Sequence, residues 1–148
     1  MNDYVHTLVA IDLTDEAPEV LARARRTAEL NGAKVTVLTV IKPLTYAYTG
    51  LEFAGLAQSM VNFEDEARAS ATERMGELCA AADLADANQL VVFGVPAQEV
   101  KAVADREGCD LIVVGSHGRH GLGLLLGSTA NGVLHGATQD VLTVRIKS

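Results

Sequence analysis

Short runs of Val, Ile and Leu alternate along this chain with longer stretches whose apolar residues recur every three or four positions. That alternation restricts the fold more than any other feature. Each run is suited to a strand, and each striped stretch to a helix laid against the resulting sheet. The first strand is expected over Val5 to Asp12. A helix follows with Ala17, Leu21, Ala24 and Ala28 on its inner face. Thr14 or Asp15 is placed to cap it, Pro18 fits its first turn, and Asn31-Gly32 ends it. The second strand, Val35 to Ile41, is rich in β-branched residues and reads as covered on both faces.

Lys42 to Val61, carrying Tyr46, Tyr48 and Gly50, shows no clear period and is expected to be a long functional loop that folds over a ligand. Asn62 is placed to cap a long helix in which Phe63, Ala67, Ala71, Met75, Leu78 and Ala82 step by three or four. A short strand, Gln89 to Phe93, turns through Gly94-Val95-Pro96 into a helix with Ala97, Val100, Val103 and Ala104 inward, ended by Gly108. The remaining elements are a strand at Leu111 to Val114, a short helix at Ser128 to His135 and a last strand at Val141 to Ile146. Repeated β–α–β units imply an α/β fold, an open doubly wound sheet that is mainly parallel with helices on both faces. One domain spanning residues 1–148 is expected. The apolar fraction of 49 % suffices for its core, which must be aliphatic because only 4 % of residues are aromatic.

The segment Gly115-Ser116-His117-Gly118-Arg119-His120-Gly121-Leu122-Gly123-Leu124-Leu125-Leu126-Gly127-Ser128-Thr129 joins the fourth strand to the last helix and contains five glycines. Glycine lets backbone approach a ligand closely, and helix N-termini favour anions. The first helix opens with Asp15, Glu16 and Glu19, which would repel phosphate; the last opens Gly127-Ser128-Thr129-Ala130-Asn131, with no acid. Phosphate is therefore expected at the last helix, although Gly127-Ser128 would also serve as a plain cap. In an open doubly wound sheet the ligand crevice lies beyond the strands' carboxyl ends, where the winding reverses. Strand order 3-2-1-4-5 brings the ends of strands one and four together there, so that Asp12 meets Gly115. Asp12 can accept from a ribose hydroxyl or a base amine, or cap the turn into the next helix. Arg119 is either a phosphate contact or a solvated loop cation.

Other functions are disfavoured. The net charge of −7 argues against nucleic-acid binding. Arg23, Arg25 and Arg26 read as one solvated helix face. The glycine segment has no lysine, so it is no P-loop, and no G-x-G-x-x-G follows the first strand. Strand three ends Phe93-Gly94 rather than in the Asp of a phospho-receiver domain. Cys79 and Cys109 form no CxxC pair and read as buried structural thiols, not a zinc or redox site. No charged-then-apolar leader and no run of about 18 apolar residues appear, so a cytoplasmic chain without a membrane span is expected.

Across nearly its whole length the chain resembles the universal stress protein family. The similarity rests on Leu8-Val9-Ala10-Ile11-Asp12, Gly94-x-Pro96, Asp110-Leu111-Ile112-Val113-Val114 running into Gly115-Ser116-His117-Gly118-Arg119, Leu125-Leu126-Gly127-Ser128, and Val141-Leu142-Thr143-Val144-Arg145. The resemblance implies a Rossmann-like fold of the adenine nucleotide alpha hydrolase type. ATP-binding members carry Gly-x2-Gly-x9-Gly-[Ser/Thr]. Gly115, Gly118, Gly127 and Ser128 match it in type and order, but Arg119 to Leu126 supplies eight intervening residues instead of nine. Gly121 and Gly123 are suited to absorbing the difference. By carry-over, Ala10, Asp12 and Val40 would line an adenosine pocket, with Val114 and Gly115 near the ribose and first phosphates. Gly118, Gly127, Ser128 and Thr129 would hold the phosphate tail of ATP or AMP, with or without Mg²⁺. Family members usually form homodimers, and Val141 to Ile146 would be an apolar sheet edge suited to pairing.

No acid pair placed to hold Mg²⁺ is apparent, and His117 reads as a packing residue. Nucleotide-dependent signalling is therefore expected ahead of catalysis. The alternatives are a dimeric interaction protein that binds no nucleotide, or a slow ATPase or self-phosphorylating protein with Ser128 or Thr129 as acceptor.

Overall fold

The computed structural model describes residues 3–43, 54–116 and 127–146. In chain order the elements are β1 (His6–Ala10), α1 (Ala17–Asn31), β2 (Lys34–Ile41), α2 (Ala54–Ala81), β3 (Asn88–Phe93), α3 (Pro96–Arg106), β4 (Leu111–Gly115), α4 (Ser128–Gly136) and β5 (Asp140–Val144). The strands form one parallel sheet in the order β3-β2-β1-β4-β5. The fold class and strand order expected from the sequence are those observed.

The registers Val9↔Val37 and Val9↔Val113 place three fully buried valines side by side. With Val20, Leu21 and Ala24 of α1 and Met75 and Cys79 of α2 they form one core layer. Their neighbours Leu8, Leu38 and Ile112 point the opposite way, against Val100 and Val103 of α3 and Val133 of α4. Because successive side chains alternate, a strand buried on both faces needs a nearly continuous apolar run, and these strands have one, interrupted only by the buried threonines Thr7, Thr36 and Thr39. Cys79 and Cys109 are both buried free thiols.

α1 buries Ala17, Leu21, Ala24 and Ala28, together with Val20. Its N-cap is Glu16, one residue beyond the expected capping pair, and Glu16 makes no side-chain capping bond. Thr14 acts just upstream, where its carbonyl accepts the Ala17 amide at 3.1 Å. Gly32 closes the helix at φ 65°, a left-handed conformation that returns its amide to Ala28 and Glu29. Arg25 pairs with Glu29 at 3.1 Å on the outer side of this helix.

α2 corrects two expectations. It begins at Ala54, so Asn62 lies inside it and is not its N-cap. Val61 and Phe63 are 53 % and 59 % exposed, whereas Ala71, Met75, Leu78 and Cys79 are buried. From Val61 on, it is the later part of the helix that covers the sheet. An apolar period marks a helix only where it packs. The opening Ala54, Leu56, Ala57 and Gln58 are good helix formers without such a stripe. Residues 44–53 of the expected Lys42–Val61 loop, including Tyr46, Tyr48 and Gly50, lie outside the described residues, and with them the expected closure over a ligand.

At the amino ends of the strands, Asp110 ties β1 to β4. Its carboxylate accepts the Val5 amide at 3.0 Å and the His6 amide at 3.0 Å, and its own amide donates to the His6 carbonyl at 3.0 Å. β5 stops at Val144, short of the expected Ile146, because its partner β4 ends at Gly115.

Candidate functional site

A cleft of about 590 Å³ opens at the carboxyl ends of β1, β2 and β4, a volume typical of small-molecule sites. The strand order creates it. The chain leaves β1 for one face of the sheet and β4 for the other, so their ends diverge.

Ala10, Val40 and Val114 form its apolar wall. All three belong to the layer packed against α3 and α4, which puts them on the same face of neighbouring strands. Pro96, at the start of α3, adds to that side. Thr39 is buried, and its hydroxyl donates to the Ile11 carbonyl at 2.9 Å. That bond fixes the chain leaving β1 against the end of β2.

Asp12 is half-buried in the cleft wall. Its Oδ1 accepts the Thr14 hydroxyl at 2.7 Å, and Thr14 Oγ1 in turn lies 3.4 Å from the Glu16 amide. The turn-capping role expected for Asp12 is thus present, carried through Thr14. Oδ2 of Asp12 has no hydrogen-bond partner among the described residues, so the carboxylate of this cleft-lining residue retains an acceptor.

The first turn of α4 forms the opposite wall, through Ser128 and Thr129. Gly127 is its N-cap, with φ −63° and ψ 159°, no side-chain capping bond, and no acid in the turn that follows. The helical ladder starts with the Asn131 amide donating to the Gly127 carbonyl at 3.0 Å. Amides before that point have no acceptor within the helix. α1 and α3 differ, with Glu19 and Glu99 in their first turns. Gly115 ends β4 at the floor of the cleft. Gly118 and Arg119, like His117 and His120, lie outside the described residues.

The structure therefore gathers Ala10, Asp12, Val40, Val114, Gly115, Ser128 and Thr129 around one space, with Gly127 at the adjoining helix end. Sequence reading missed Lys42, an exposed cation on the rim, and Glu16 and Ile146 in the wall. Lys42 was legible in principle, since it follows directly on β2 and the crevice rule applies to every strand end. Ile146 carried no signal, because its place depends on where β5 leaves the sheet. Among the described residues no group of three His, Cys, Asp or Glu is placed to hold a metal ion. A second cleft, of about 510 Å³, lies at the amino ends of the strands, around His6, Lys34, Asp83 and Asp86. It is more open and has no helix N-terminus in its wall.

The description of the universal stress protein family matches residues 3–145. The chain belongs to this family. It is 42 % identical over 144 residues to universal stress protein A homolog 1 of Coxiella burnetii, covering 97 % of this chain and 98 % of that protein. Among solved structures, the MJ0577 protein superposes with a TM-score of 0.82 at 23 % identity, covering 98 % of both chains. A universal stress protein in complex with cAMP superposes with a TM-score of 0.67 at 25 % identity, covering 96 % of this chain and 97 % of that one. The universal stress protein from Archaeoglobus fulgidus in complex with dAMP gives 0.64 at 23 % identity, over 97 % of this chain and 98 % of that one. Among the described residues no helix is long and apolar enough to cross a membrane.

Proposed function

We propose that this universal stress protein is an adenine-nucleotide-binding stress-response module that takes ATP or AMP. The observation that carries this reading is the uncapped first turn of α4 facing an apolar wall and a carboxylate across one cleft. An adenine nucleotide has the matching parts: a flat, weakly polar base, ribose hydroxyls and an anionic tail. Ala10, Val40 and Val114 provide the surface for the base. The free oxygen of Asp12 accepts from a ribose hydroxyl. The amides of Ser128 and Thr129, with the helix dipole, meet the phosphate. Gly127 and Gly115 allow close approach, and Gly118 and Arg119 complete the phosphate contacts. Any Mg²⁺ would be carried by the phosphates. The cAMP complex of a family member supports the choice of an adenine ligand.

The module acts as a cytoplasmic homodimer of single-domain chains paired through the Val141–Ile146 edge. β5 lies at the end of the sheet, with Val141, Leu142 and Thr143 only half-buried. A second copy would satisfy that unpaired edge.

The test is to heat-denature the purified protein, analyse released nucleotide by chromatography, and titrate the emptied protein with ATP, AMP and adenosine by calorimetry. Stoichiometric adenylate with phosphate-dependent affinity is expected. A protein that carries none and binds none would be a dimeric interaction protein, the outcome that the one-residue-shorter glycine segment favours. Linear ATP turnover above a Gly127→Val control would make it a slow ATPase.

A further inference from the structure

At Ser116 three separate parts of the molecule meet beside the cleft. Its amide donates to the Val144 carbonyl at 2.7 Å, carrying the β4–β5 ladder one step past Gly115↔Val144. Its carbonyl accepts the Gly127 amide at 2.7 Å, which sets where α4 begins. Its hydroxyl oxygen accepts the Ile146 amide at 3.1 Å. Ile146 lies beyond the end of β5, yet it is only 8 % exposed and lines the cleft. Its amide is held by the Ser116 side chain and not by a ladder bond among the described residues, while its own side chain packs in the core layer with Ala17, Val20 and Val144.

We infer that Ser116 is a positioning residue that couples the nucleotide cleft to the edge strand β5. Its backbone holds the α4 N-cap at a fixed distance from β4, and its hydroxyl holds Ile146 in the cleft wall. A ligand that settles against α4 and Ile146 therefore tightens the end of β5. By linkage, whatever orders that strand end tightens ligand binding by the same factor. The inference rests on the nucleotide reading for its ligand but on the observed hydrogen bonds for its mechanism, since the bonds exist without one. Ser116 touches no ligand in this account and acts through Gly127 and Ile146.

The test compares Ser116→Ala and Ser116→Thr with wild type, using amide hydrogen exchange by NMR and calorimetry with AMP. Ser116→Ala keeps the backbone bonds and loses only the hydroxyl, so the fold should persist. The Ile146 amide should exchange about tenfold faster, and AMP should bind about three- to tenfold more weakly, the range for one hydrogen bond. In wild type AMP should slow exchange at Ile146, and in Ser116→Ala it should not. Ser116→Thr, which keeps the hydroxyl, should restore both. Wild-type AMP affinity in Ser116→Ala, alongside faster Ile146 exchange, would overturn the coupling. If wild type itself gives no heat with AMP, the nucleotide reading falls separately. The clamp is then decided by exchange alone, and an unchanged Ile146 rate in Ser116→Ala would overturn it.

Discussion

The Gly127 amide donates a 2.7 Å hydrogen bond to the Ser116 carbonyl, so the two ends of the glycine-rich segment are pinned together beside β4. The start of α4 is thereby fixed by the sheet and not by the length of the segment between those ends. Gly127→Val places a β-branched side chain at the N-cap, against the space an anion would enter, and such residues are poor N-caps. We predict at least a tenfold loss of ATP affinity by calorimetry (about 1.4 kcal/mol). Unchanged affinity would remove phosphate from this helix end.

Asp12 has one oxygen committed to Thr14 and one without a partner among the described residues. Asp12→Ala should weaken AMP binding by about 1–3 kcal/mol, the range for a hydrogen bond to a charged group. A 2′,3′-dideoxy analogue should bind the variant and the wild type equally. If the variant loses as much affinity for the analogue as for AMP, Asp12 serves only the turn.

Gly132 carries α4 against α3. A Cβ built at Gly132 would stand 2.6 Å from the Ala97 Cβ, closer than carbon atoms pack. Gly132→Ala should lower stability by about 1–3 kcal/mol in urea unfolding, the usual cost of overpacking. Adding Ala97→Gly should recover most of the loss. Additive destabilisation in the double variant would show that the two positions do not touch.

Acid stability should depend on Asp110. Partial burial opposes its ionisation, but the amides of His6, Val5 and Asp110 itself, with the nearby His6 charge, prevail and lower its pKa from the usual 3.8. A lowered folded-state pKa gives stability that is present above the unfolded value and lost as pH falls through the folded one. Asp110→Asn should therefore reduce the urea midpoint at pH 7. The gap to wild type should be constant down to about pH 4 and close below it. A gap that persists at pH 2 would mean the loss is not electrostatic.

The thiols should be silent in the native protein. Burial, then the charges of Glu107 and Asp110, push Cys109 up to about 11, and burial raises Cys79 as well. At pH 8 Ellman's reagent should react with both cysteines only as fast as the chain opens, and rapidly with both in guanidinium. Fast native labelling of one thiol would contradict its burial.

Most of the sheet was legible because its strands are covered on both faces. Val35 to Ile41 consists only of Val, Leu, Ile and two buried threonines, Thr36 and Thr39, and such a β-branched run with no charge is visible without coordinates. The stripe on α1 was legible for the same reason. The start of α2 was not, since the sequence from Ala54 to Met60 carries no clear apolar period and Val61 and Phe63 stay exposed. Gly127-Ser128 stood out because a missing acid in a helix's first turn is a local property. Ile146 did not, because nothing near it in the chain says that Ser116 will hold it.

By itself the sequence determined the α/β alternation, most of the residues that face the core, and which helix opens without an acid in its first turn, because these depend on periods and neighbours within a few residues. Only the tertiary structure decided that Lys42, Ile146 and the amides of α4 share one cleft and that Ser116 joins it to the sheet edge. Those contacts link positions far apart in the chain, and they are set by how strands register and where helices land, which no local pattern encodes.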